Sequence, residues 1–474
     1  MLFRSTNFYP IVWMLLLLLF VFNPTKASAE GINMDTAVVV VEYKIIGNKT
    51  TKNHIIEREF PFSLNDTISK NKLNYIIERT QSNLMNTLLF NFVNVDIVYF
   101  TDEIISIYVT VEERWYWWPL PIFEVQETNF NTWWETKNFD RVNYGLYLAK
   151  ENFRGRKERL VFKVQGGYTE KAEFRYHVPY LNKKQTQGFM VGFNYNRNHE
   201  VMYGTTDNKR DFVKMDELYL QEQFVSRINY EYRPKLYNLH SFEVRHHYFS
   251  IADTVFALSD EFLEKKDNNT SLFSLLYTFK RDKRNFKSYP TKGYFAEFNV
   301  IKNGFGISDH NIDALYGLFS LRKYWKMGSR IYFAVYTKGK YSLERPPFYL
   351  LGGLGYNNNL VRGYEFYVIH GEHYGLAKTQ FRYALVDNKI TYLPFLFSEK
   401  FKKVPLSVYS GLFFDTGYVY DRELSKTNSL NNTHLYSAGV ALDFVTYYDV
   451  VFRVEYSINH LNEHGLFLHF VAPL

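Results

Sequence analysis

From residue 142 to residue 471 the chain keeps repeating one device, a short segment in which apolar and polar side chains alternate. Phe452, Val454, Tyr456 and Ile458 alternate with Arg453, Glu455, Ser457 and Asn459. Ile228, Tyr230 and Tyr232 alternate with Asn229, Glu231 and Arg233, and Leu160, Phe162 and Val164 with Lys163 and Gln165. Period two sends successive side chains to opposite faces of a pleated strand. About sixteen such segments fit into this stretch, with residues 196–218 the least regular of them. A soluble β-sandwich alternates too. Three features favour a membrane barrel instead. The segments run to about ten residues, enough for a tilted strand to cross a bilayer. Their polar faces carry charges, which a hydrated lumen tolerates, and their apolar faces are rich in Tyr and Phe.

The N-terminus fits this reading. Arg4, the apolar run from Ile11 to Phe22, Pro24 and Ala27-Ser28-Ala29 have the form of a cleavable export signal over residues 1–29. The apolar run is shorter than the roughly 20 residues a membrane-spanning helix needs, and nothing after it comes close. A membrane-resident mature chain must then close its backbone hydrogen bonds as a barrel. Aromatic residues make up 19% of the chain, with 40 Tyr and 43 Phe, a share that suits sheet and interfacial girdles. AT-rich coding raises the same residues, so composition only supports the pattern. The absence of cysteine excludes disulfides, thiolate metal sites and a lipidated N-terminal Cys. The net charge of +7 is interleaved with acids along the whole chain, without the stripe a nucleic-acid binder would show.

Residues 37–114 read differently. A strand over Ala37–Ile46, helices over Asn53–Phe60 and Lys70–Leu89, and strands over Val93–Phe100 and Ile104–Glu112 make a compact β-α-α-β-β module. An aromatic-rich connector, residues 115–141, follows with Trp115, Trp117, Trp118, Trp133 and Trp134. The barrel is expected over residues 142–474.

The longest connection within the barrel lies between Tyr341 and Glu372 and is rich in glycine and aromatics. Loops beyond about 12–15 residues in a compact fold are usually functional or disordered, and this one reads as packed, folded back into the lumen. It carries Val361-Arg362-Gly363-Tyr364. A guanidinium inside a partly dehydrated lumen needs a partner. Asp415, in Phe413-Phe414-Asp415-Thr416-Gly417, shares an inward face with Tyr409, Gly411 and Gly417. A bidentate pair would fix loop to wall; spacing alone favours independent solvation of each charge. No catalytic constellation stands out. The histidines (His246, His247, His370, His373, His460, His464, His469) show no zinc-site spacing, no G-x-S-x-G occurs, and Gly352-Gly353-Leu354-Gly355 lacks the context of a phosphate loop. Catalytic, cofactor and metal residues are therefore expected to be absent.

Four co-linear motifs resemble those of the BamA/TamA-like outer-membrane assembly-factor superfamily, which includes the two-partner secretion transporters. Val361 to Tyr364 is similar to its V-R-G-[YF] loop motif, and Phe413 to Gly417 to its F-x-D-x-G strand motif. Asp282 to Gly293 resembles its D-x-R-x(n)-P-x-x-G stretch, and residues 37–114, with Ile46-Gly47-Asn48, Thr50 and Leu89-Phe90, a POTRA domain. The resemblance implies a sixteen-stranded antiparallel transmembrane β-barrel behind one periplasmic POTRA-like domain, with Arg362 paired to Asp415. It also implies a non-enzymatic insertase or translocase of the bacterial outer membrane. Partners would be outer-membrane lipids, extended outer-membrane client proteins and accessory assembly subunits. A dedicated secretion transporter and a passive pore are the alternatives. A single POTRA-like module and a C-terminus running past Phe470 to Leu474 depart from the usual assembly subunit. The seam of the barrel is expected between strands near Val142–Ala149 and His464–Val471.

Overall fold

The computed structural model describes residues 37–470 apart from 138, 264–267, 306–311, 357–358, 396–397, 447 and 449. The expected export signal, residues 1–29, lies outside the described residues, as do residues 471–474.

The N-terminal module is a four-stranded sheet with helices on one side. Its strands are β1 (Ala37–Ile46), β2 (Thr67–Ser69), β3 (Phe90–Tyr99) and β4 (Ile104–Glu113), in the order β2-β1-β4-β3 with β1 and β4 parallel. The helices are α1 (Asn53–Glu57) and α2 (Leu73–Met85). Val38, Val40, Ile105, Ile107 and Val109 pack with Ile55, Ile56 and Leu84 into a small dry core. Three details differ from the sequence reading. The first helix stops at Glu57, the second runs only over Leu73–Met85, and the three-residue β2 is an added edge strand, too short to show a period.

The remainder is built around one sheet of sixteen strands with neighbouring strands antiparallel. The first eight are β5 (Trp117–Val125), β6 (Val142–Phe153), β7 (Glu158–Gly167), β8 (Thr169–Val178), β9 (Gln187–Asn198), β10 (Gln221–Lys235), β11 (Asn238–Ile251) and β12 (Asn269–Asp282). The last eight are β13 (Gly293–Asn303), β14 (Ala314–Lys326), β15 (Ile331–Ser342), β16 (His373–Tyr392), β17 (Lys403–Tyr420), β18 (His434–Thr446), β19 (Val451–Asn459) and β20 (His464–His469). Each pairs with its chain neighbour, so the register is local throughout. The weak stretch 196–218 contains a separate hairpin, Glu200–Thr206 with Lys209–Lys214, outside the wall.

The expected connector supplies the first strand of the sheet: Trp117 to Val125 pair with Lys150 to Val142. Pro119 and Pro121 hide it from a strand pattern. A proline cannot donate to a ladder and is accommodated where its missing N–H faces an unpaired edge, and β5 is an end strand. The sheet's other end is β20, and among the described residues no ladder joins β20 to β5.

The wall is apolar outside and polar inside. Phe162, Val164, Ile228, Val244, Leu275, Val300, Phe381, Leu412 and Ile458 are exposed, while Asp415, Asp443, Arg453, Glu455 and Arg382 are buried. A soluble fold does the reverse; a sheet surrounded by lipid and closed around polar groups does this. No helix among the described residues is long and apolar enough to cross a membrane.

Candidate functional site

The connection between β15 and β16 enters the barrel. A short hairpin, Gly352–Leu354 with Ile369–Gly371, carries it down the inner wall. Leu354, Val361, Tyr364 and Ile369 pack there on Tyr336, Tyr374, Leu376 and Val419. The apolar content of the loop thus serves as lining.

At its tip Arg362 meets Asp415 of β17. Arg362 Nε donates to Asp415 Oδ2 at 2.8 Å, Nη2 to Oδ1 at 2.5 Å, and the Arg362 backbone N–H to Oδ2 at 3.2 Å. Side-chain exposure is 3% and 0%, so water does not compete for the pair. The guanidinium lies over the Phe413 ring, 3.7 Å from its centroid. Lys378 Nζ stands 3.8 Å from the same carboxylate. Gly417 is needed for room, because a Cβ there would fall 2.7 Å from Val361 Cγ2 and 2.9 Å from Leu354 Cδ1. Gly363 adopts φ +86°, and its carbonyl accepts from Asn459 Nδ2 at 2.7 Å. The buried Tyr364 hydroxyl donates to Tyr436 O at 3.2 Å and is bonded to His460 Nδ1. All seven residues expected from the two motifs, Val361, Arg362, Gly363, Tyr364, Phe413, Asp415 and Gly417, therefore meet in one place, from loop and wall.

The stretch from Asp282 to Gly293 works at the opposite end. Asp282 binds Arg284 through two oxygens at 2.9 and 2.7 Å. The turn tucks Tyr289 into the lumen, where its hydroxyl donates to Asp443 Oδ2 at 2.7 Å and its ring stacks on Tyr409. Asp443 also receives Arg453, at 2.6 and 2.9 Å. Asp415 and Asp443 are thus each paired with an arginine, as a low-dielectric interior requires.

The module docks on that end. Glu59 receives both Arg233 nitrogens at 2.8 and 2.9 Å, and Tyr180 Oη sits 3.2 Å from Glu59 Oε1. Asn86 Nδ2 donates to Arg284 O at 3.0 Å and Arg79 Nε to Tyr237 Oη at 3.0 Å. Burial pushes the Glu59 carboxyl up, but Arg233, with Lys157 behind it, overrides this and holds it down to about 2. Between module and wall remains a charged cavity of about 950 Å³ lined by Lys157, Arg159, Glu231, Asp282 and Lys287 among others.

The seam is where sequence reasoning fell short. Helix α3 (Phe130–Thr136), capped by Asn129 accepting from Thr132 N at 3.0 Å, folds against β20. Asn131 Nδ2 donates to Leu468 O at 3.1 Å, and its Oδ1 accepts from Leu468 N at 2.8 Å. One side-chain amide thus occupies a donor and an acceptor that a neighbouring strand would otherwise take. Asn129 Nδ2 and Thr132 Oγ1 reach back to Glu365 O at 2.6 and 3.2 Å, tying the helix to the tip of the lumenal loop. The Asn129-to-Thr132 spacing is a helix N-cap signal, but nothing local tells which strand the helix will meet. Three donors also converge beside it: Glu365, Glu455 and His469, with ligand atoms all within 4.8 Å of one another. No spacing rule brings together residues so far apart in sequence.

Comparison with known proteins agrees with this architecture. Residues 152–447 match the Omp85 superfamily domain, and residues 38–114 match POTRA, described as a surface antigen variable number repeat. BamA from Haemophilus ducreyi lacking POTRA domains 1–3 is 13% identical, over 91% of this chain and 83% of that one, with a TM-score of 0.51, and shares the fold. CdiB from Escherichia coli is 10% identical over 96% of this chain and 91% of its own, with a TM-score of 0.49. A search of the curated proteins returned no match. With more than half of its residues in that domain, behind a POTRA module and around a lumenal V-R-G-Y loop, the chain belongs to the Omp85 superfamily.

Proposed function

We propose that this chain inserts or translocates extended client proteins at the bacterial outer membrane, with its POTRA module in the periplasm, and without chemical catalysis. The observation that carries this reading is the seam. Among the described residues β20 and β5 end the sheet without a ladder between them, and Asn131 covers Leu468 on the β20 edge. An exposed edge strand is a template for another strand. Displacing Asn131 exchanges two hydrogen bonds for the same two made by a client backbone, so opening exposes little unpaired backbone to lipid. The β5 edge suits this role less, since Pro119 and Pro121 bring no N–H. β20 is then the side on which a client strand is laid down, before it leaves laterally. The unpaired edges of the module sheet, β2 and β3, would hold clients on the way.

A reducible bis-maleimide between Phe130→Cys and Phe470→Cys tests this, because the chain has no cysteine of its own and the two rings lie 5.6 Å apart. Tethered protein should lose client insertion into liposomes and regain it on reduction. Insertion at full rate with the tether in place would discard lateral exit at this seam. A passive pore is disfavoured by a lumen that the loop occupies from one end, with the module docked on the other. A large, stable, ion-selective conductance in a planar bilayer would reverse that judgement. Depletion followed by an outer-membrane proteome separates general assembly, with many barrels lost, from secretion of one dedicated cargo.

A further inference from the structure

We propose that Glu365, Glu455 and His469 form a binding site for a zinc-type divalent cation that staples the lumenal loop to the last two strands of the barrel. Glu365 follows Arg362 by one turn of loop, Glu455 stands on the inner face of β19, and His469 closes β20. His469 Nε2 faces both carboxylates, 3.1 Å from Glu455 Oε1 and 3.6 Å from Glu365 Oε1. A proton on that nitrogen can be aimed at only one of them. The hydrogen bond goes to Glu455. Glu365 is fully buried, yet neither of its carboxylate oxygens has a hydrogen-bond partner among the described residues, and Glu455 Oε2 has none either. Leaving buried acceptors unmade is costly. The cations nearby are turned elsewhere: Arg362 and Lys378 toward Asp415, Arg453 toward Asp443.

A single metal ion satisfies all three side chains at once. Zinc takes imidazole nitrogen and carboxylate oxygen at about 2.0–2.2 Å, which places ligand atoms about 3.4 Å from one another around a tetrahedron. The three ligand atoms already lie within 4.8 Å of one another. Three protein ligands leave a fourth position for water. Calcium and magnesium are poorly served, because they prefer six or more oxygens or an intact hydration shell. Binding would join three separate segments, and β20 is one free end of the sheet. The site rests on its donor set and does not depend on the insertion reading.

Tag-free mature protein in detergent, cleared of metal with chelator, is dialysed against zinc and separately against cobalt(II), magnesium and calcium. The proposal expects one zinc per chain by elemental analysis and visible d–d absorption bands with cobalt(II) that zinc abolishes. It also expects a higher unfolding temperature with zinc but not with magnesium or calcium. Glu365→Gln and His469→Ala should each weaken zinc binding at least about tenfold, while the retained heat-modifiable gel shift shows that the barrel has folded. The cobalt spectrum and the zinc-dependent unfolding temperature need only the wild type, so they stand even if a variant misfolds. Absence of stoichiometric zinc and of cobalt bands in the wild type would overturn the proposal and leave the cluster as a protonated histidine between two acids. Equal zinc binding by wild type and both folded variants would overturn it as well.

Discussion

Two of the arginine–carboxylate pairs in this molecule, one inside the barrel and one at the joint with the module, are built differently. Arg362–Asp415 joins a loop to the wall of the same barrel; its side chains are 3% and 0% exposed, with an aromatic ring over the guanidinium. Arg233–Glu59 joins two domains; its arginine is 21% exposed and shares its carboxylate with a tyrosine hydroxyl. Enclosure decides how each pair fails. A dry pair has no water to take over when one partner goes, so its loss leaves an uncompensated buried charge. The pair at the joint leaves its arginine side chain 21% exposed, so its strength can be tuned from solution.

The largest expected effect comes from breaking the dry pair. Arg362→Ala should cost about 3–5 kcal/mol, read as a lower unfolding temperature of the heat-modifiable barrel; wild-type stability would show that the loop is not anchored there. The joint should respond to pH. The Glu59 carboxyl, at about 2 when folded against 4.5 in a free chain, contributes stability that is complete above pH 4.5 and lost as pH falls toward 2. That contribution amounts to about 3 kcal/mol, and Glu59→Gln should remove it and make the acid-dependent slope of urea unfolding between those limits shallower. If the slope is unchanged in Glu59→Gln, another carboxylate governs the joint. Gly417→Ala crowds the dry pair without touching a charge, since its Cβ meets Val361 at 2.7 Å. A loss of about 1–3 kcal/mol is expected, with no change in pH profile. Asn131→Ala should be the mildest, about 1 kcal/mol for two hydrogen bonds at a site the fold can open. Its signature is faster amide exchange along β20 with unchanged exchange in β17; uniform exchange would make the asparagine a spectator.

The alternation that produced the barrel reading was legible because it is local. Each strand pairs with its chain neighbour, so face and register follow from period two without knowledge of distant contacts. The fold back of the loop and its charged tip were legible from composition, and the V-R-G-Y and F-x-D-x-G motifs pointed to Arg362 and Asp415 together. β5 was not, since Trp117, Trp118, Pro119 and Pro121 break the strand signature, and their tolerance depends on having no neighbour on one side.

What the sequence determined by itself was therefore everything carried by short-range periodicity: an α+β module, an inside-out barrel of antiparallel strands, and a glycine-rich loop able to enter it. What only the tertiary structure decided was which edges stay free and which distant groups meet there. Asn131 reaches Leu468, and His469 reaches Glu365 and Glu455, because winding the sheet around its axis brings its two ends back toward each other. No local pattern encodes that return, since it depends on the summed twist and tilt of all sixteen strands.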